Sequence, residues 1–247
     1  MPEDIIVPIV IFIGSLIYGT FGFGDALFAM PILSMVIGVK TATPLMTLNG
    51  CTLAALLFIK HYKEVDWLHA RKLIFASFFG IPFGIYILKN GNEAYTKILL
   101  GLIITGISSY NLFYKNKMLA IQPRVEWVYI VGFISGILGG AFNTGGPPIA
   151  ILGMLSGWTQ LQFIGTLQGF FLPNDLFIIS GHLLAGLISK KVLFYYLISL
   201  PFLLSALWIG QYLRKKIPAN KFNLYIFTLL FIIGILFLMR SILMLQS

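Results

Sequence analysis

The sequence predicts an all-α, polytopic membrane protein made of two homologous halves. Three observations predict it: an apolar composition, apolar runs of spanning length from end to end, and an internal repeat. Apolar residues make up 58% of the 247 positions and charged residues 10%, against roughly 25% charge in soluble domains. Apolar runs recur at about 5–19, 26–38, 43–59, 73–88, 98–114, 127–139, 147–156, 162–179, 192–210 and 223–245. No polar stretch between them suffices for a separate soluble domain.

The first run opens with Pro2, Glu3 and Asp4 and lacks the basic start of a secretory leader, so it reads as mature structure. It ends in GTFGFGD (19–25), where glycines and a carboxylate interrupt the hydrophobic sequence before the second run. At 1.5 Å per residue, helices over 5–18 and 26–38 measure about 21 and 20 Å, each short of a roughly 30 Å hydrocarbon core. One helix through both would be about 50 Å, too long even when tilted. The spacing therefore predicts a re-entrant hairpin, with two half-helices meeting near mid-membrane. Backbone broken at that depth must be enclosed by protein or line a cavity, because lipid offers no partner to its polar groups.

The same design returns later in the chain. GTFGFG (19–24) matches GAFNTG (140–145) at an offset of 121, and three further pairs share an offset of 119. These are TLNG (47–50) with TLQG (166–169), RKLIF (71–75) with KKVLF (190–194), and IPF (81–83) with LPF (200–202). Four matches in one order indicate duplication. The halves are residues 1–114 and 127–247, joined by the polar linker 115–126. Each is expected to hold one re-entrant or broken hairpin plus three transmembrane helices.

An odd number of crossings per half makes the halves inverted repeats. Loops 60–72, 115–126 and 211–222 then share one side and hold 11 of the 17 Lys and Arg residues. Counting each broken segment as one full crossing splits the charges 10 to 7 instead. The inverted arrangement places the basic loops and linker inside and the N-terminus outside the cell membrane.

Within the second break, NTGGPPIAIL (143–152), Thr144 or Gly146 suits an N-cap and Pro147 or Pro148 a first turn. In the first half, Gly24 and Asp25 occupy the matching helix start. Such starts present unpaired N–H groups and about half a positive charge, so two facing each other make an anion site. No Lys or Arg falls in the apolar spans near either break. The expected substrate-binding residues are therefore Phe21, Gly22, Phe23 and Gly24 of the first break and Asn143, Thr144, Gly145 and Gly146 of the second. Thr47, Asn49, Thr166 and Gln168, on the spans that follow, complete the cage or bond across helices as packing contacts. Phe21, Phe23 and Phe142 either pack the hairpin tips, gate the anion path or pack against an aryl group of the substrate.

Asp25 and Asp175 are the only carboxylates among the apolar segments, and intramembrane carboxylates are functional candidates. Asp25 either caps its helix or takes a coupling proton or cation. Asp175, in LPNDLF (172–177), follows Pro173, which suggests a kink or helix end.

The order GTFGFGDALFAMPIL, four spans, GGAFNTGGPPIAIL and four more, with Pro82 and Pro201 in the third span of each half, resembles the sulfite exporter TauE/SafE family. These proteins are also called toluene sulfonate uptake permeases. The resemblance covers essentially the whole chain and implies transport of sulfite, sulfonates or related organosulfur anions. Asp25 departs from it, since many members carry a small residue there.

An intramembrane enzyme would need a catalytic cluster or metal site. His61, His69 and His182 offer none, the first two lying in a loop. No cofactor or metal is expected; the expected partners are a small sulfur anion, lipid, and a coupling proton or sodium ion. A passive anion channel is the alternative, and homo-oligomerisation is left open.

Overall fold

The computed structural model describes residues 2–91 and 124–218 continuously, with isolated positions between 98 and 112 and between 221 and 239. The expected spans at 98–114 and 223–245, and most of the 115–126 linker, lie largely outside the described residues. Eight continuous α-helices run through the described residues: α1 (Pro2–Phe21), α2 (Asp25–Val36), α3 (Val39–His61), α4 (Trp67–Asn90), α5 (Val125–Phe142), α6 (Gly146–Leu155), α7 (Gln160–Leu184) and α8 (Lys190–Arg214). All but α2 and α6 are long and apolar enough to cross a membrane. The protein is a multi-pass helical membrane protein.

Local chemistry sets the helix boundaries. Asp66 starts α4 by accepting from the backbone N–H groups of Leu68 and His69. Thr159 and Gln162 form a reciprocal capping box on α7, and Ser189 caps α8. Pro173 lies inside α7, which continues past it to Leu184, so no helix ends there.

The chain reverses at 22–24 and again at 143–145. Gly22 and Asn143, which are sequence matches, turn it with left-handed φ of 84° and 56°. After the first turn Asp25 comes back against Gly14, where an added Cβ would lie 3.2 Å from the Asp25 carbonyl oxygen. After the second, Gly145 returns over Ser135 and Gly139. Both breaks are hairpins, but with unequal arms: 20 and 12 residues in the first, 18 and 10 in the second. The first arm is thus longer than the expected half-helix, at about 30 Å for α1. Gly19, read from sequence as part of the break, stays helical because it packs on Leu207 and Gly210 of α8.

Contacts along each helix pair give the directions. Glu3 meets Lys191 while Gly19 meets Gly210, so α1 and α8 are parallel. Gly132 meets Leu73 and Gly140 meets Ile81, so α4 and α5 are parallel too. Gly50 lies by Asp175 and Gly165 by the His61 carbonyl, which makes α3 and α7 antiparallel. Thr52 bonds Tyr196 and Arg214 meets His61, aligning α3 with α8. Ser77 bonds Asn174 and Gly181 packs on Ile85, aligning α4 with α7. Helices α1, α3 and α8 therefore run one way and α4, α5 and α7 the other. Each long helix of the first half runs opposite to its sequence match.

The α1–α8 and α4–α5 seams are glycine-lined. A Cβ on Gly210 would lie 2.6 Å from the Leu16 carbonyl oxygen, and one on Gly140 2.6 Å from that of Ile81. Small residues let membrane helices approach until backbones touch, which stands in for the hydrophobic drive that lipid removes.

Candidate functional site

The hairpins do not meet tip to tip, as the half-helix lengths suggested; they pass each other. The second tip reaches Met46, beyond the α3 midpoint at Gly50, where Asn143 Nδ2 donates to the Met46 carbonyl at 2.9 Å. The first tip reaches equally far the other way. Gly22 packs on Ile164, and its carbonyl accepts from Gln168 Nε2 at 2.8 Å. The cause is the length of α1 and α5, each carrying its tip past the middle of the bundle.

A cavity of about 30 Å³ lies between the overlapping hairpins and the centre of α7. The starts of α2 and α6 both open onto it, through Gly24 and Asp25 on one side and Gly145 and Gly146 on the other. The N-caps are Gly24 and Gly145, neither with a side-chain cap bond, rather than Thr144 or Gly146. Asp25 is the first residue inside α2, not its cap, and its buried Oδ2 has no partner. Asp175 lines the same cavity from α7. Among the described residues, no Lys, Arg or His lines it.

Eight of the residues expected from sequence line this space: Phe23, Gly24, Asp25, Asn143, Thr144, Gly145, Gly146 and Asp175. Phe23 joins the two hairpins, with its ring against Gly146 and 6.0 Å from the Phe163 centroid. The other six do not line it. Gln168 holds the first tip, and its Oε1 accepts from Tyr18 Oη at 2.6 Å. Gly22 is that tip's turn, and Phe21 ends α1. Thr47 bonds back to the Thr43 carbonyl at 2.9 Å. Thr166 accepts from the Asp66 N–H at 2.9 Å near the basic end of the bundle. Asn49 is fully buried with no hydrogen-bond partner for either side-chain polar atom.

Sequence reasoning did not select Tyr18, Ser135 or Asn174, which also line the cavity. Ser135 Oγ is buried without a partner. Asn174 Nδ2 donates to the Phe170 carbonyl at 2.7 Å while its Oδ1 accepts from Ser77 on α4. Ser135 matches Gly14 in the first half, so the repeat itself offered no signal for it. The described residues contain no cluster of side chains able to hold a metal ion.

The cavity thus offers helix-start N–H groups, neutral hydrogen-bonding groups and two carboxylates. Groups of that kind can hold an oxyanion without a fixed cation when the carboxylates are neutral or screened.

The model of the family described as sulfite exporter TauE/SafE matches residues 6–237. The chain belongs to the TauE/SafE family. No curated protein and no solved structure matches it. Membership makes the chain a membrane transporter of the sulfite exporter class, and places the overlapping hairpins inside the region that defines the TauE/SafE family.

Proposed function

We propose that the protein is a secondary transporter that carries sulfite or a small sulfonate across the cell membrane. The anion binds between the starts of α2 and α6, and Asp25 and Asp175 take up a coupling proton. The observation that carries this reading is the convergence of two intramembrane helix N-termini and two carboxylates on one cavity that no basic side chain lines among the described residues. Two like charges about 5 Å apart repel by about 3 kcal/mol at an effective dielectric of about 20. Ionised carboxylates would therefore oppose an anion, and protonating them as it binds removes the conflict.

The cavity volume of about 30 Å³ favours compact anions, since an apolar cavity that admits benzene measures about 150 Å³. Asn143 and Thr144 supply orienting groups, with Gln168 holding the first hairpin tip and Thr166 the backbone of Asp66. The opposite directions of matched helices support reading residues 1–114 and 127–247 as inverted repeats about the 115–126 linker. Lys60, Lys63, Arg71, Lys72, Arg214, Lys215 and Lys216 lie at the end where α3 and α8 finish, which supports placing that end inside and the N-terminus outside.

The test is flux in proteoliposomes with sulfite, sulfoacetate, an aryl sulfonate, thiosulfate and sulfate, with and without proton and sodium gradients. Sulfite or sulfoacetate accumulation driven by a proton gradient is expected. Flux that only dissipates an anion gradient would favour a channel, and failure with every sulfur anion would overturn the reading.

A further inference from the structure

Outside the cavity, the most anomalous side chain is Arg214, the last residue of α8. It is only 8% exposed. Its Nη2 lies 3.2 Å from His61 Nε2 on α3, and its Nη1 is enclosed with no partner. Arginine can only donate, so His61 Nε2 is the acceptor and Nδ1 carries the ring proton. The pair therefore keeps the full positive charge of the guanidinium. Lys60, the residue before His61, adds a second cation, its Nζ 2.5 Å from Gln211 Oε1. Neither cation bonds a carboxylate among the described residues, whereas His69 pairs with Asp66 and Lys191 with Glu3. A buried charge is stable when paired, and among the described residues no carboxylate pairs with buried Arg214 or with Lys60 beside it.

The position is also specific. One turn before Arg214, Gly210 packs on Gly19 of the first hairpin, and its carbonyl accepts from Thr20. The His61 carbonyl faces Gly165, next to Ile164, which packs on the Gly22 turn. The cluster thus stands at the end of the bundle toward which the first hairpin tip points.

We propose that Arg214, with His61 and Lys60, forms a second oxyanion site at the basic ends of α3 and α8, separate from the cavity. An unpartnered guanidinium Nη1 donates a charge-assisted hydrogen bond to an oxygen of a tetrahedral or pyramidal oxyanion. That chemistry is shared by a dissolved sulfur anion and by the phosphate of an anionic lipid. The inference rests on the unpaired charge and not on the transport reading.

The test uses the full chain in nanodiscs of phosphatidylcholine alone and in detergent after exposure to phosphatidylglycerol. Sulfite binding is followed by calorimetry in the first and retained phosphatidylglycerol by native mass spectrometry in the second. Arg214→Gln is expected to weaken one of the two ligands about tenfold, with Arg214→Lys recovering part of the loss. Loss of sulfite binding identifies a soluble anion as occupant, and loss of phosphatidylglycerol identifies a lipid phosphate. If Arg214→Gln does not fold, Lys60→Gln at the exposed edge carries the test, with about a threefold loss expected. A folded Arg214→Gln that keeps both ligands, or a Lys60→Gln that keeps both where Arg214→Gln is unfolded, overturns the proposal. A chain that binds either ligand through Arg214 yet moves no sulfur anion keeps this inference and loses the transport reading.

Discussion

Gln168 on α7 holds the first hairpin from the opposite half of the chain, donating to the Gly22 carbonyl at 2.8 Å while accepting from Tyr18 at 2.6 Å. One side chain thus satisfies two buried polar groups at a backbone turn that lipid could not solvate. Gln168→Leu leaves both unmatched and is expected to destabilise the fold by about 2–4 kcal/mol. A lower melting temperature in detergent, with weakened anion flux, is the measured outcome.

Asp25 opens onto the cavity with one carboxylate oxygen unpartnered. In proton-coupled transport, Asp25→Asn keeps the shape but removes the proton site. Proton-driven accumulation should fall about tenfold or more, while anion exchange without a pH gradient persists. Unchanged dependence of flux on the pH gradient would remove Asp25 from the coupling mechanism.

The glycine seams leave no space for larger side chains. Gly210→Leu drives a side chain into the Leu16 backbone and Gly140→Val one into the Ile81 backbone. Each is expected to cost about 1–3 kcal/mol or more, read as aggregation or a lowered melting temperature. Glycine to alanine at Gly38, where an added Cβ meets nothing within 4 Å, relieves the packing question but keeps a left-handed φ of 76°. Its smaller loss separates backbone strain from crowding.

Asp66 joins the loop before α4 to the loop before α7, accepting from the His69 ring at 2.7 Å and the Trp158 indole at 3.0 Å. Burial pushes its carboxyl up, but hydrogen bonds from His69 and Trp158 outweigh that and hold it below the usual carboxylate range. The ionised form is therefore the stabilising one. Its contribution is complete above the unfolded value of about 3.9 and fades as pH falls through the lower folded value. Asp66→Ala should cost roughly 1 kcal/mol at neutral pH through the lost cap, and melting curves of variant and parent should converge in strong acid.

Both hairpin turns are legible in the sequence because reversal needs a left-handed residue, and Gly22 and Asn143 stand at matching positions. The opposite directions of the matched helices follow motifs that recur in one order along the sequence, which is why they could be anticipated. Arm length is less legible. Gly19 looks like a break in a one-dimensional reading, yet in a membrane a glycine also marks where two helices touch, and only the α8 partner distinguishes the cases. Thr47 and Thr166 have site-like chemistry but bond to backbone, whereas Ser135 and Tyr18 enter the cavity through tertiary convergence that no local pattern encodes. Arg214 reads as one more flanking cation until folding places it under the first hairpin, beside a neutral histidine.

The seams also constrain how the protein can move. Each welds the first long helix of one half to the third long helix of the other, backbone against backbone, so sliding within α1–α8 or α4–α5 would force carbonyls through glycine Cα atoms. Any movement would therefore carry each pair as a unit against the antiparallel α3 and α7. The contact of Phe23 with Gly146, which joins the two hairpins, is the place where such a movement would part them.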